Sequence, residues 1–170
     1  MNIFATSSCP VISAMEHCDV HVIKMILETA QLLSCAHIVL DDKQVAYKKT
    51  HQNHPSSVWV RESRGNYFWA FDLLNALLAE YEYRFNGVHA TARFLDALSK
   101  APDNIPDGGV TTHAMAMGDE FRIQGDPFLS YQGYIRQKLV EWRARPNPMR
   151  TTFTRREVPL FLEEVGVWAK

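Results

Sequence analysis

A chain of 170 residues, 46% hydrophobic and 22% charged, has enough apolar side chain for one well-buried core and is too apolar for a disordered polymer. Its formal net charge of −1 is not that of a uniformly basic nucleic-acid binder, yet between Arg136 and Arg156 seven bases face one acid, Glu141. Any polyanion is expected to meet this C-terminal third. No uninterrupted apolar run reaches the roughly 18 to 20 residues of a membrane span, and no basic-then-apolar leader opens the chain, so a cytoplasmic protein without a membrane partner is expected. The three cysteines, Cys9, Cys18 and Cys35, form no close pair and read as reduced thiols.

Helical periodicity dominates. The first helix is expected from about Ala14 to His37, too long for a strand. A polar loop, Asp41 to His54, leads to Pro55 at a first helical position, and a long helical stretch follows with a break or kink at Gly65 and a stop at Asn86-Gly87. A short helix over Ala90 to Ser99 precedes the longest loop, APDNIPDGGVTTHAMAMGDEF, where Pro, Gly and Asp cluster. Asp126-Pro127 has the chemistry of a helix start, with apolar residues recurring through Trp142 and an end before Pro146. A last short helix is expected around Pro159 to Val165. The whole reads as an all-α, single-domain helical bundle over residues 1–170, with five or six helices and a central, buried first helix.

That first helix carries the most informative pattern. At 100° per residue His17, His21, Lys24, Glu28, Gln31 and Cys35 share one narrow arc, while Val20, Val22, Ile23, Met25, Ile26, Leu27, Leu32 and Leu33 fill the rest. Ionisable groups on a buried cylinder must pair, line a cleft or bind something, because burying them alone costs several kcal/mol (~2–7 for a single polar group). A cleft floor is the functional reading and an internal polar network the structural one. The two histidines four apart lack a third ligand, so no metal and no cofactor are expected. Lys48, Lys49, His51, His54, Arg61 and Arg64 surround the start of the next helix, where backbone N–H groups and cations suit a phosphate. Among the aromatic residues from Tyr67 to Phe85, core packing outweighs base stacking, and Asp72, Asn75 and Glu82 are expected to face solvent.

The segment HCDVHVIKMILET resembles the first helix of the bacteriophage pyrimidine-dimer DNA glycosylase (endonuclease V) family: Asp19, His21 and Glu28 recur there with the same spacing. His54-Pro55 leading to Arg61, and the stretch Tyr131 to Tyr134, add to the resemblance. The segments CDxHVxKMILETAQLL and THxNHPSSxWVRES also look like a set of small phage proteins, which would place the chain in a host cytoplasm. The resemblance implies a DNA base glycosylase and abasic-site lyase, in which an amine attacks the sugar C1′ of a flipped-out pyrimidine nucleotide and forms a Schiff base. Glu28 would be the catalytic carboxylate and His21 a nucleic-acid contact. In that family the amine is the α-amine exposed when the initiator Met leaves a small second residue. Here position 2 is Asn and Leu27 stands where the family carries Arg, which makes Lys24 a second candidate amine.

Three readings follow. The first is that glycosylase/lyase, using Glu28, His21 and Lys24 or the α-amine, with His17, Gln31, Lys48, His51, His54, Arg61, Arg64, Arg136 and Lys138 holding DNA or a nucleotide. The second is a transferase modifying pyrimidines in phage DNA on the same scaffold, with Glu28 as general base. The third is a non-catalytic counter-defence protein that sequesters a nucleotide or nucleic acid.

Overall fold

The computed structural model describes residues 1–163, and among these the secondary structure is entirely helical. The α-helices are α1 (Pro10–Met15), α2 (Asp19–Asp41), α3 (Pro55–Glu62), α4 (Arg64–Phe85), α5 (Leu95–Leu98), α6 (Pro127–Arg143) and α7 (Leu160–Glu163). Single 3-10 turns occupy Ala90–Phe94 and Asp119–Phe121. The all-α expectation holds. The described residues contain seven α-helices rather than five or six, because the first expected helix is two; the expected final helix begins as a short α7. The end of that expected helix, residues 164 and 165, lies outside the described residues.

α2 is the axis of the fold. It packs against α3 and α4, α1 packs on α4, and the core gathers Val22, Met25, Ile26, Leu32 and Leu33 with Leu73, Leu74, Leu77, Leu98, Ile135 and Leu139. By length and composition alone α2 could cross a membrane, although Lys24 and Glu28 interrupt its apolar run. Of its most apolar window 61% is buried inside the protein, as a central core helix requires.

The start of α2 differs from the expectation. α1 stops at Met15, and Glu16 to Cys18 form a corner before Asp19 opens α2. The corner is fixed from below. Arg84 is fully buried and donates to the Met15 and His17 carbonyls, to Asp19 Oδ1 and to Glu80 Oε2. The Asp19 carboxylate also accepts from Thr152 Oγ1, Thr154 Oγ1 and the Thr154 N–H, strapping residues 151–154 across the head of α2. Arg156 completes the group through both oxygens of Glu80. Buried charges are tolerated when paired and hydrogen-bonded on all sides, as here.

At the other end Asp42 turns left-handed with φ 55°, which terminates α2, and Asn86 does the same for α4 with φ 52°. The break between α3 and α4 falls at Ser63, not Gly65. Ser63 is extended and caps α4 by accepting from the Asn66 N–H. Gly65 serves a different need. The first N–H groups of α4 are satisfied by the loop at 106–108, with Arg64 N donating to Pro106 O and Gly65 N to Gly108 O. A Cβ on Gly65 would stand 2.3 Å from the Gly109 carbonyl carbon, so only glycine permits this approach.

The remaining signals place their elements well. His54 caps α3 through Nδ1, Pro55 is its first residue, and Asp126 caps α6 by accepting from Leu129 N–H. Cys9, Cys18 and Cys35 are free thiols. Tyr67 and Trp69 are core residues, whereas Phe68 and Tyr83 are exposed. Asp72 and Glu82 face solvent, with Asn75 half-buried.

Candidate functional site

Residues 2–6 run without helical structure into the interior, with Asn2, Ile3, Phe4, Ala5 and Thr6 all buried. Chain ends are normally loose unless tied down. This one is tied at its second residue. The Asn2 N–H donates to Glu28 Oε2 at 3.0 Å, and the α-amine of Met1 stands 3.8 Å from the same oxygen. Lys24 Nζ approaches the other oxygen, Oε1, at 3.4 Å from one turn earlier on α2. The Glu28 carboxylate is therefore shared by two amines, with its side chain 13% exposed and that of Lys24 51% exposed.

His54 joins the site from the start of α3. Partial burial is the first cause lowering its proton affinity, followed by the N-terminal amine and His51, with Glu28 acting in the opposite direction. His51 acts on it electrostatically, and Lys48, Lys49 and His51 of the preceding loop are all exposed. His51 adopts φ 46° and its Nδ1 contacts Thr50 Oγ1. Gln31 is half-buried on the next turn of α2 after Glu28. The Met1 amine, Lys24 and His54 thus come together around the Glu28 carboxylate.

Other residues expected at the site are placed elsewhere or engaged. His17 and His21 are buried at 0% and 1% exposure. His17 precedes α2, so the 100° count does not carry across the corner to reach it. His21 is on the helix, but Phe4 and Trp142 cover its ring at 4.9 and 5.0 Å. Both stand behind the site and have no direct access to a ligand. Cys35 is likewise fully buried. Arg61 NH1 donates to the Gln52 and Ser57 carbonyls, stapling the loop to α3. Arg64 pairs with Asp107, and Arg136 donates to the Phe161 carbonyl. Lys138 lies over the rings of Tyr134 and Trp142. Of the basic C-terminal third, Arg155 and Arg156 are taken up by Tyr83 O and Glu80, and Arg143 bonds Thr151 Oγ1. Arg145 and Arg150 are exposed. No group of three or more His, Cys, Asp or Glu that could hold a metal ion occurs among the described residues.

Sequence reasoning did not single out the residues that hold Asn2. Its Oδ1 accepts from Ser56 Oγ, Tyr131 OH and the Ile3 N–H, and its Nδ2 donates to the Ala116 carbonyl. These partners come from α3, α6 and the long loop, with no shared periodicity to betray them.

The buried histidines make stability depend on pH. Burial, the largest cause, pushes His17 down from 6.5 to about 4, and the His17 Nε2 and both ring nitrogens of His21 have no hydrogen-bond partner. His113, packed between Trp59 and Trp69, is also lowered to about 4 by burial. Between pH 6.5 and about 4 the unfolded chain binds these protons and the folded chain does not, so stability is whole above 6.5 and falls as pH drops. For His17 alone the full loss is about 3 kcal/mol. Urea midpoints should fall steadily from pH 7 to pH 5, before carboxylates titrate; a constant midpoint across that window would contradict it.

In comparisons with family models, curated proteins and solved structures, nothing matches this chain.

Proposed function

We propose that the protein is a nucleic-acid-acting enzyme of glycosylase/lyase type, with the α-amine of Met1 as nucleophile and Glu28 as its carboxylate. The observation that carries this reading is the 3.8 Å separation of that amine from Glu28 Oε2. Amines act as covalent nucleophiles through their lone pair, and a neighbouring base is one of the devices that activates them.

In the proposed reaction the amine lone pair forms a bond to the sugar C1′ as the bond from C1′ to the base nitrogen breaks. The base leaves with that electron pair and takes up a proton. Loss of the amine proton and opening of the sugar ring give an iminium between the protein nitrogen and C1′. Glu28 has one oxygen toward the amine and one toward Lys24, so it can accept the amine proton and face the developing cation. Lys24 is half exposed and reaches outward, suited to a phosphate beside the reacting sugar. Lys48 and Lys49 are exposed cations and His51 and His54 hydrogen-bonding groups of the same loop, with Arg145 and Arg150 as further candidates for the backbone of a duplex. In this reading His17 and His21 support the site from behind.

Borohydride reduction in the presence of a duplex carrying one abasic site tests the reading. It is expected to trap a protein–DNA adduct, and peptide mapping should place the link on Met1. A chain extended by two residues before Met1 should give none. An adduct that survives the extension and maps to Lys24 would transfer the nucleophile to that lysine. Absence of any adduct, with abasic or dimer-containing DNA, would remove the lyase reading.

A further inference from the structure

We propose that the Asn2 carboxamide, gripped by Ser56, Tyr131 and the Ala116 carbonyl, is a positioning group that aims the first nitrogen atoms of the chain at Glu28. The inference rests on the functional reading above and deepens it.

A terminal residue has more conformational freedom than any other, and each backbone residue held in one conformation costs about 1–2 kcal/mol. A nucleophile on such a residue would sweep past its carboxylate rather than stay beside it. Asn2 removes that freedom with its side chain. Every polar atom of the carboxamide is engaged: Oδ1 by Ser56 Oγ at 3.1 Å, Tyr131 OH at 3.0 Å and Ile3 N at 2.8 Å, and Nδ2 by Ala116 O at 2.9 Å. The residue is 8% exposed. With the side chain held, its backbone N–H donates to Glu28 Oε2 at 3.0 Å.

The partners are themselves fixed. Ser56 is in the first turn of α3, and Tyr131 is completely buried in α6. The Tyr131 hydroxyl stands 2.7 Å from the Ala114 carbonyl and accepts from the Ala116 N–H at 3.3 Å, tying the long loop into the same knot. One hydroxyl has one hydrogen, so Tyr131 divides it between Asn2 Oδ1 and Ala114 O, which makes the Ser56 hydroxyl the less contested donor. Burial raises the tyrosine's pKa above its ordinary value and keeps that hydrogen in place. An amide is the right group here. Aspartate would lose the bond to Ala116 O and set a second anion beside Glu28, and an aliphatic residue would take the acceptor from the buried Ser56 hydroxyl and leave the Ala116 carbonyl without its donor.

The test leaves position 2 untouched, so that processing of Met1 is unaltered. Ser56→Ala, Tyr131→Phe and the double variant are compared with Ser56→Thr, which keeps a hydroxyl. In single-turnover trapping on an abasic duplex, the double variant should form adduct roughly 10- to 100-fold more slowly, the penalty of a misplaced reacting group. Duplex affinity should stay within about twofold, and Ser56→Thr should recover most of the rate. Hydrogen exchange without DNA supplies a readout independent of activity. The Asn2 amide should exchange about tenfold faster in the double variant, as expected for losing roughly one hydrogen bond's protection, while the amides of Met25 and Ile26 keep theirs. Unchanged Asn2 exchange in the double variant would overturn the positioning role, as would a loss of protection shared equally by the core of α2. If the wild-type protein traps no DNA, the reaction reading fails alone, and the exchange result still decides the clamp.

Discussion

Glu28→Gln should slow adduct formation by about 10²- to 10⁴-fold while leaving duplex affinity nearly intact. The substitution keeps the volume of the side chain and one oxygen that can still accept from the Asn2 N–H. It removes the negative charge that faces both the Met1 amine and Lys24. The change takes away the carboxylate that stands 3.8 Å from the amine. Binding depends on the outward cations, which the change leaves in place. The measurement is single-turnover trapping alongside duplex titration at fixed salt, since phosphate contacts make affinity depend steeply on ionic strength. Retained trapping in the variant would remove Glu28 from the chemistry. Binding in both proteins with product in neither would favour sequestration of nucleic acid over catalysis.

Arg84→Met should lower stability by about 3–5 kcal/mol, the usual result of stripping one partner from a buried ionic group. For a chain of this size that corresponds to a fall in Tm of roughly 10 °C. The guanidinium bonds four acceptors at once: Glu80, Asp19, and the carbonyls of Met15 and His17. Methionine fills the space and satisfies none of them. Arg84→Lys should recover only part of the loss, because one ammonium cannot span acceptors arranged for a planar fork. Thermal unfolding followed by circular dichroism reads both variants. A shift below about 2 °C for Arg84→Met, under 1 kcal/mol for a chain of this size, would mean that the surrounding hydroxyls and Arg156 already neutralise Asp19 and Glu80.

These two residues mark the boundary of what the amino-acid order reveals. Lys24, Glu28 and Gln31 stay together because they lie within one unbroken helix, where angular position follows directly from spacing. His17 lies across a corner that holds no glycine or proline; it is turned by Arg84, which is 67 residues away in the chain. Local pattern carries no trace of that. His21 keeps its angular place yet is roofed by Phe4 and Trp142, so its burial is decided by elements far from it in sequence. Helix starts at Pro55 and Pro127 and the stop at Asn86 were legible because their causes are local: a ring that fixes φ, a side chain that caps, a residue tolerant of left-handed backbone. The break at Ser63 was misassigned to Gly65 because glycine marks both breaks and close approaches, and only the neighbouring loop distinguishes them. Asn2, Ser56 and Tyr131 share no periodicity, Ser56 and Tyr131 lying 54 and 129 residues from Asn2 along the chain, so only the fold brings them together.

The bond from Tyr131 to Asn2 closes a separation of 129 residues, and the strap from Thr152 to Asp19 one of 133. Asn2 is therefore held only once the chain as far as α6 has folded back onto it. Contacts of such long range form late and slowly. The placing of Asn2 beside Glu28 is thus a property of the completed fold, and a chain lacking α6 would lose the Tyr131 half of the grip.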